Sequence, residues 1–453
     1  MLTNDHWSWR AVFYHLFPLG CLGAPIRNDF NAVPADRLSA LDEWIDHFER
    51  LGINALLFGP VFESSAHGYD TADLFKVDRR LGDEVAFTDF SRELHRRGIR
   101  LVLDAVFHHT GRDFWAFRDV RDRGRDSRYC DWYHLDFSRR SPCGEPFHYK
   151  GWAGNYDLAK LNLKNAAVRK HLFEAVSSWI EHFDIDGLRL DVADGLDSDF
   201  IHELSEHCRR IKPDFWLMGE VVHGDYRNWA RPGALASTTN YEAYKGLWSS
   251  LNDRNYFEIA YSLNREFGAE GIYRGIPLYN FVDNHDVSRA ASILREPAHL
   301  YPLYALLMTM PGVPSIYYGS EFGIEACKQR GTDAPLRPAL DIRMLRRSGR
   351  HPDLCDAIGR LISLRHQHRA LQVGDYTQLH VAAEQFAFSR RAEDETIVVA
   401  LNASAEAAEI PLRLPDGISH LTDRLNHDET FDVSGPRKTL RVSPRWARIL
   451  VAS

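Results

Sequence analysis

Carboxylates recur where apolar, β-branched runs end. One run finishes in Asp104-Ala105-Val106-Phe107-His108-His109 and a second in Arg189-Leu190-Asp191. A third finishes in Gly219-Glu220 and a fourth in Asp283-Asn284-His285-Asp286. A carboxylate at the end of an apolar strand is costly to desolvate unless it is paired or functional. One such case is most simply a structural ion pair, whereas a set at one mouth points to acid/base and nucleophilic chemistry. Arg189 and Asp191 stand two apart, so on a strand they share one face while Leu188 and Leu190 take the other. A guanidinium beside a carboxyl favours its ionised form, which a nucleophile needs near neutral pH. A structural salt bridge is the competing reading, and it loses weight once Glu220 and Asp286 are counted. His108 and His109 raise the question of a metal. Adjacent strand residues point to opposite faces, so the pair is not expected to share an ion, and no HExxH or HxH spacing lies nearby. The expectation is therefore no metal and no cofactor, with His109 and His285 as neutral donors to substrate hydroxyls.

These residues need a frame that gathers strand ends. Apolar runs at 12–17, 53–58, 99–107, 185–191, 215–218, 277–282 and 314–318 alternate with helical patterns, and a weakly marked run falls near 234–241. The first helix is expected from Pro34 to Leu51 with Gly52 as its stop, and Asn165 caps a later one carrying Val168, Leu172, Val176, Trp179 and Phe183. Eight βα units favour a (β/α)8 TIM barrel, and no Gly-rich loop follows the first run to support a dinucleotide fold. Catalytic side chains of such barrels project from the C-terminal strand ends, which is where the carboxylates fall. Residues 110–157 break the rhythm and read as an insert domain after strand three. Short strands at 386–388, 396–401 and 440–451 predict a C-terminal β-sandwich. The expected domains are thus a catalytic barrel over 1–370, interrupted by the insert, and a sandwich over 371–453.

Composition narrows the partners. The net charge of -8 argues against a nucleic-acid surface. No apolar stretch reaches membrane-spanning length, and the first residues lack a basic segment followed by an apolar one, so a cytoplasmic enzyme is expected. Six scattered cysteines suggest neither a zinc site nor a disulfide framework. Aromatics make up 12% of the chain, which suits either core packing or sugar stacking.

The segments DAVFHH (104–109), GLRLDVADG (187–195), GEVVH (219–223) and FVDNHD (281–286) resemble the four shared regions of the α-amylase family, glycoside hydrolase family 13. They occur in the family's order. HGYDTADLFKVDRRLG (67–82) and GVPSIYYGSEFG (312–323) match two further family segments. The resemblance implies Asp191 as nucleophile, Glu220 as acid/base and Asp286 as a third carboxylate that stabilises the transition state. It implies Tyr69, Asp104, His109, Arg189 and His285 as the shell around the sugar. A retaining enzyme of this kind keeps its two working carboxyls about 5–5.5 Å apart, with Glu220 protonated and Asp191 ionised at rest.

Leu158-Ala-Lys-Leu-Asn162 resembles a fifth region of the neopullulanase and cyclomaltodextrinase subgroup. That subgroup usually carries an N-terminal β-domain, whereas here the first strand begins near Val12. Gly195 and Val222 stand where the subgroup often has Glu and a bulkier residue, which suggests room for a different substrate shape. His108 replaces the Asn that many members use as a calcium ligand. The expected substrate is a small linear or cyclic malto-oligosaccharide, of cyclodextrin or cyclic maltosyl-maltose type, cleaved chiefly at α-1,4 bonds. Alternatives are a transglycosylase or α-glucosidase of the same family, or a non-catalytic carbohydrate-binding member. A homo-oligomer is left open.

Overall fold

A computed structural model describes residues 3–415, 417–435 and 438–453. Met1 and Leu2, which begin the segment read above as lacking a leader, lie outside them. Eight short parallel strands carry the fold. They are β1 (Phe13–Leu16), β2 (Ala55–Phe58), β3 (Arg100–Ala105), β4 (Gly187–Leu190), β5 (Trp216–Gly219), β6 (Ser237–Thr238), β7 (Tyr279–Phe281) and β8 (Val313–Tyr317). Their order is β6-β5-β4-β3-β2-β1-β8-β7, and a parallel bridge from Thr239 to Tyr279 brings the two edges together. This is the (β/α)8 barrel expected from the alternation.

Alternation sorts the core into two layers. Outward residues such as Leu56, Leu103, Leu188 and Leu190 pack under the helices, while Phe13, Leu57, Val102, Trp216, Met218 and Tyr279 fill the barrel. Phe13 stacks on Trp216 with ring centroids 5.1 Å apart, which plugs the interior below the polar strand ends. The helix Ala166–Phe183 shows how sequence sets these elements. Asn165 Oδ1 accepts from the backbone N–H of Ala167 and Val168, and Asp184 closes the helix in a left-handed turn. Trp179, on its buried face, stacks on Phe62 at 4.2 Å.

Three expectations change. The first helix does not begin at Pro34; a 3-10 turn at Leu38–Leu41 leads into Asp42–Leu51. The residues before it are tied to another loop, because Ala35 N–H donates to Arg79 O and Arg37 N–H to Leu81 O. The insert is more ordered than its lack of period suggested, with a helix at Trp115–Arg123 and a return strand at Asn155–Lys160. The run 440–451 is two strands, Thr439–Val442 and Trp446–Ala452, turned at Arg445, whose φ is 48°.

The C-terminal β-unit is a six-stranded antiparallel sheet faced by a two-stranded ribbon, with Val398, Ala400, Ile410, Leu440 and Leu450 in one cluster. The strands Asp375–Val381, Ala408–Pro411, His420–Asp423 and Glu429–Asp432 carried too few apolar residues to show in the sequence pattern.

Candidate active site

The carboxylates meet on one guanidinium. β4 pairs with β3 so that Arg189 lies opposite Asp104. Arg189 Nη1 donates to both Asp104 oxygens at 2.7 and 2.8 Å and to Asp191 Oδ1 at 3.0 Å. Its Nη2 stands 2.8 Å from Glu220 Oε1. Arg189 and Asp191 therefore share the interior face, as their spacing required.

The backbone after each strand is shaped to hold this cluster. Val192 N–H donates to Glu220 Oε2 at 3.1 Å. That amide is aimed by a left-handed turn at Val192, φ 48° and ψ 46°, a costly conformation for a β-branched residue. Gly219 ends β5 without a side chain because a Cβ there would sit 2.5 Å from Leu235 Cδ1 and 2.7 Å from Ala193 Cβ. The turns after β4 and β5 can then close on each other.

Asp104 also joins the cluster to β7. Tyr69 Oη donates to Asp104 Oδ2 at 2.9 Å and stands 2.5 Å from His285 Nε2. The same nitrogen lies 3.0 Å from Asp286 Oδ2. Since the Tyr69 proton goes to Asp104, the His285 proton sits on Nε2. Asp286 Oδ1 accepts from Arg337 Nη2 at 2.9 Å, and Arg337 Nε donates to His285 O at 3.2 Å.

The two sides differ electrostatically. Burial pushes the Asp286 carboxyl up, but His285, Arg337 and Arg189 outweigh it and hold it well below the usual carboxylate range. Asp191 goes the other way. Burial pushes its carboxyl well above the usual range, Arg189 opposes this, and Glu220, Asp104 and Asp286 add to the rise. Arg189 favours the ionised form, as its spacing from Asp191 implied, but burial outweighs it. The cause is first burial, and then the two further carboxylates that the same guanidinium serves.

Strand alternation also fails at the histidine pair. β3 ends at Ala105 and the next strand begins at His109, so the chain turns between them and the two Nδ1 atoms lie 3.2 Å apart. His109 Nε2 is 3.1 Å from Tyr69 O. No group of three His, Cys, Asp or Glu side chains that could hold a metal ion occurs among the described residues. The segment Leu158–Asn162 lies against this pair. Leu161 N–H donates to His108 O at 3.0 Å, and Lys160 pairs with His109. Gly195 does not open space for substrate as expected, because a Cβ there would meet His108 Cδ2 at 3.1 Å. That space belongs to the imidazole.

The insert aromatics also divide. Trp115 and Trp132 pack edge-on at 5.3 Å, Tyr156 packs on Tyr149 at 5.4 Å, and Tyr133 is buried beneath Thr110. Trp152 is exposed at a hairpin tip, its ring 6.4 Å from that of His109.

Two residues escaped the sequence reading. Arg337 comes from a loop with no period to mark it. Tyr241 accepts a hydrogen bond from Asn284 Nδ2 at 3.1 Å, and burial, then Glu220 and Asp286, push its phenol well above the usual range. It follows β6 directly, so the strand-end rule applied to that weak run would have found it.

The sequence pattern of the alpha amylase catalytic domain matches residues 37–370. A cyclomaltodextrinase of Geobacillus thermopakistaniensis is 32% identical over 383 residues, 83% of this chain and 63% of that enzyme. The chain thus spans less than two thirds of that relative. Neopullulanase 2 of Thermoactinomyces vulgaris is 30% identical over 97% of this chain and 78% of its own length. Among solved structures, the cyclic α-maltosyl-(1→6)-maltose hydrolase of Arthrobacter globiformis superposes with a TM-score of 0.83 at 26% identity. That alignment covers 99% of this chain and 100% of the other.

Proposed function

Because the chain belongs to the α-amylase family, we propose that it hydrolyses α-glucosidic bonds, chiefly α-1,4, in small linear or cyclic malto-oligosaccharides with retention of configuration. The observation that carries this reading is the single guanidinium of Arg189 joining Asp104, Asp191 and Glu220 at the barrel mouth. Asp191 attacks the anomeric carbon while Glu220 gives its proton to the departing oxygen, and a covalent glucosyl ester forms. Glu220 then takes a proton from water, which attacks the ester carbon and releases Asp191. Asp191 has to be ionised for the first step. Sugar hydroxyls donating to it supply hydrogen bonds that favour that form. Asp286 stabilises the charged transition state, with Tyr69, His109, Arg189 and His285 around the ring and Asp104 holding Arg189 and Tyr69 in place.

Substrate size is read from two features. The relatives above are named for cyclodextrins, pullulan and cyclic maltosyl-maltose, and the last of them matches this chain nearly end to end. The exposed ring of Trp152 stands 6.4 Å from that of His109, which suits a compact ligand stacked on an indole better than a long polymer. We also take 1–370 as the catalytic barrel, 110–157 as its insert and 371–453 as the C-terminal domain. No helix among the described residues is long and apolar enough to cross a membrane. We propose the cytoplasm as its place of action.

The test compares kcat/KM on soluble starch, pullulan, maltotriose, a cyclodextrin and cyclic maltosyl-maltose. A small cyclic or linear oligosaccharide should be preferred. If soluble starch is the best substrate by a clear margin, the small-substrate reading is wrong, whereas turnover of none of them removes the hydrolase reading itself.

A further inference from the structure

His108 has no part in the chemistry above, yet it is 5% exposed and lies beside a residue that has one. The hydrogen bonds of the pair fix where each proton sits. A backbone carbonyl can only accept, so the 3.1 Å contact with Tyr69 O puts the His109 proton on Nε2. A neutral imidazole has one N–H, so His109 Nδ1 is a bare acceptor. The nitrogen 3.2 Å from it, His108 Nδ1, must then be the donor. Both rings are held neutral, because burial lowers His108 to about 4 and His109 to about 3.

Gly195 makes the arrangement sterically possible. A Cβ there would lie 3.1 Å from both His108 Cδ2 and Val192 Cγ1 and 3.2 Å from His108 Nε2, so the imidazole or the valine would have to give by a few tenths of an ångström. The backbone is fixed independently by Leu161 N–H on His108 O, so a displaced ring cannot be followed by the main chain.

We propose that His108 is a positioning residue, which together with the Tyr69 carbonyl holds the tautomer and ring angle of His109, through an Nδ1–H to Nδ1 hydrogen bond in space vacated by Gly195. His109 is thereby limited to one donor, the Nε2–H that Tyr69 O accepts. A sugar hydroxyl reaching that edge can only share this proton with the carbonyl and never meets a lone pair. This rests on the reading of His109 as a sugar-contacting group.

Two experiments separate the proposal from that reading. The first needs no substrate. In ligand-free protein labelled with 15N-histidine, long-range 1H–15N spectra, assigned with His108→Ala and His109→Ala, should show His109 protonated at Nε2 and His108 at Nδ1. His109 in the Nδ1–H form, or a His109 signal unchanged in His108→Ala, overturns the proposal. The second is kinetic, with whichever malto-oligosaccharide is cleaved best. His108→Ala and Gly195→Ala should each lower kcat/KM roughly tenfold, as expected when a buried acceptor loses its donor. The double variant should lose no more than either single, since both act on one ring. His108→Asn should keep most of the activity, because its amide nitrogen falls where Nδ1 stands. Additive losses, or an inactive His108→Asn that still folds, would refute the role. If no oligosaccharide is cleaved by the wild type, the functional reading fails while the tautomer result still decides the hydrogen bond.

Discussion

Arg189 at the barrel mouth and Arg390 at the seam with the C-terminal sheet are both deeply buried, 3% and 1% exposed, and are used in opposite ways. Arg189 bridges three carboxylates. Arg390 has no ion pair among the described residues and donates only to backbone carbonyls. Its Nη1 reaches Thr309 O at 2.7 Å and Leu371 O at 3.2 Å, and its Nη2 reaches Gly374 O at 2.9 Å. Arg365 beside it does the same, with Met308 O at 3.0 Å and Gly312 O at 2.5 Å. Met308 and Thr309 end the helix Leu300–Thr309, so the two cations cap carbonyls that have no partner in the helix and lie at its negative pole. A buried charge among carboxylates makes a cluster whose protonation can change during reaction. A buried charge among carbonyls has nothing to exchange a proton with, and fastens one element to another.

The contrast implies that damage at the mouth costs activity and damage at the seam costs stability. The largest effect is expected at the mouth. Asp191→Asn and Glu220→Gln should each reduce turnover by several orders of magnitude while the melting temperature stays near that of the wild type. Any residual early product seen by proton NMR should be the α-anomer. Near-normal activity in either variant, or an early β-anomer, would remove the mechanism. At the seam, Arg390→Ala leaves the carbonyls of Thr309, Leu371 and Gly374 buried without donors, which should lower stability by about 3 kcal/mol. Denaturant unfolding measures this, and activity per folded molecule should stay within roughly twofold, since none of the partners of Arg390 belongs to the barrel-mouth cluster. A folded Arg390→Ala with no activity would show that the two regions are not separable.

The frame and the carboxylates were legible because each leaves a local mark. Eight apolar runs of strand length revealed the barrel, and strand ends revealed Asp104, Asp191, Glu220 and Asp286. What escaped depended on how many groups share one partner or on where the chain turns. Nothing in Arg189-Leu190-Asp191 says how deeply Asp191 is buried or that the guanidinium also serves Asp104 and Glu220, so the spacing shows the pull of Arg189 but not the burial that outweighs it. Two adjacent histidines point apart only while the strand lasts, and β3 stops at Ala105. Gly195 read as empty space because the ring that fills it comes from a residue 87 positions earlier in sequence (195 minus 108). The seam arginines were invisible for a related reason, since their carbonyl partners carry no side-chain signal at all.

The smallest expected effect on activity comes from a test of whether the seam truly lacks a titrating member near neutral pH. Glu266 is fully buried at the end of the helix Tyr256–Phe267. Its Oε2 accepts from Asn240 Nδ2 at 2.8 Å, while Oε1 has no partner among the described residues. Asn240 also donates to Asn280, whose Nδ2 reaches Pro311 O at 2.7 Å, next to the Gly312 carbonyl that Arg365 holds. Burial pushes the Glu266 carboxyl from its ordinary 4.5 up to about 8. The unfolded chain therefore ionises this group near pH 4.5 and the folded chain only near 8. Between those values the folded state binds the extra proton, so its advantage is complete below the lower value and is lost as pH rises through the upper one. Glu266→Gln keeps the shape and the Asn240 contact but cannot ionise. The wild type should lose on the order of 4 kcal/mol more stability than the variant between pH 5 and pH 9, with activity alike at neutral pH. Melting curves of both proteins at pH 5 and pH 9 measure the difference. Parallel losses would mean that Glu266 does not titrate there, leaving a seam with no proton to exchange and a sharper division from the mouth than drawn above.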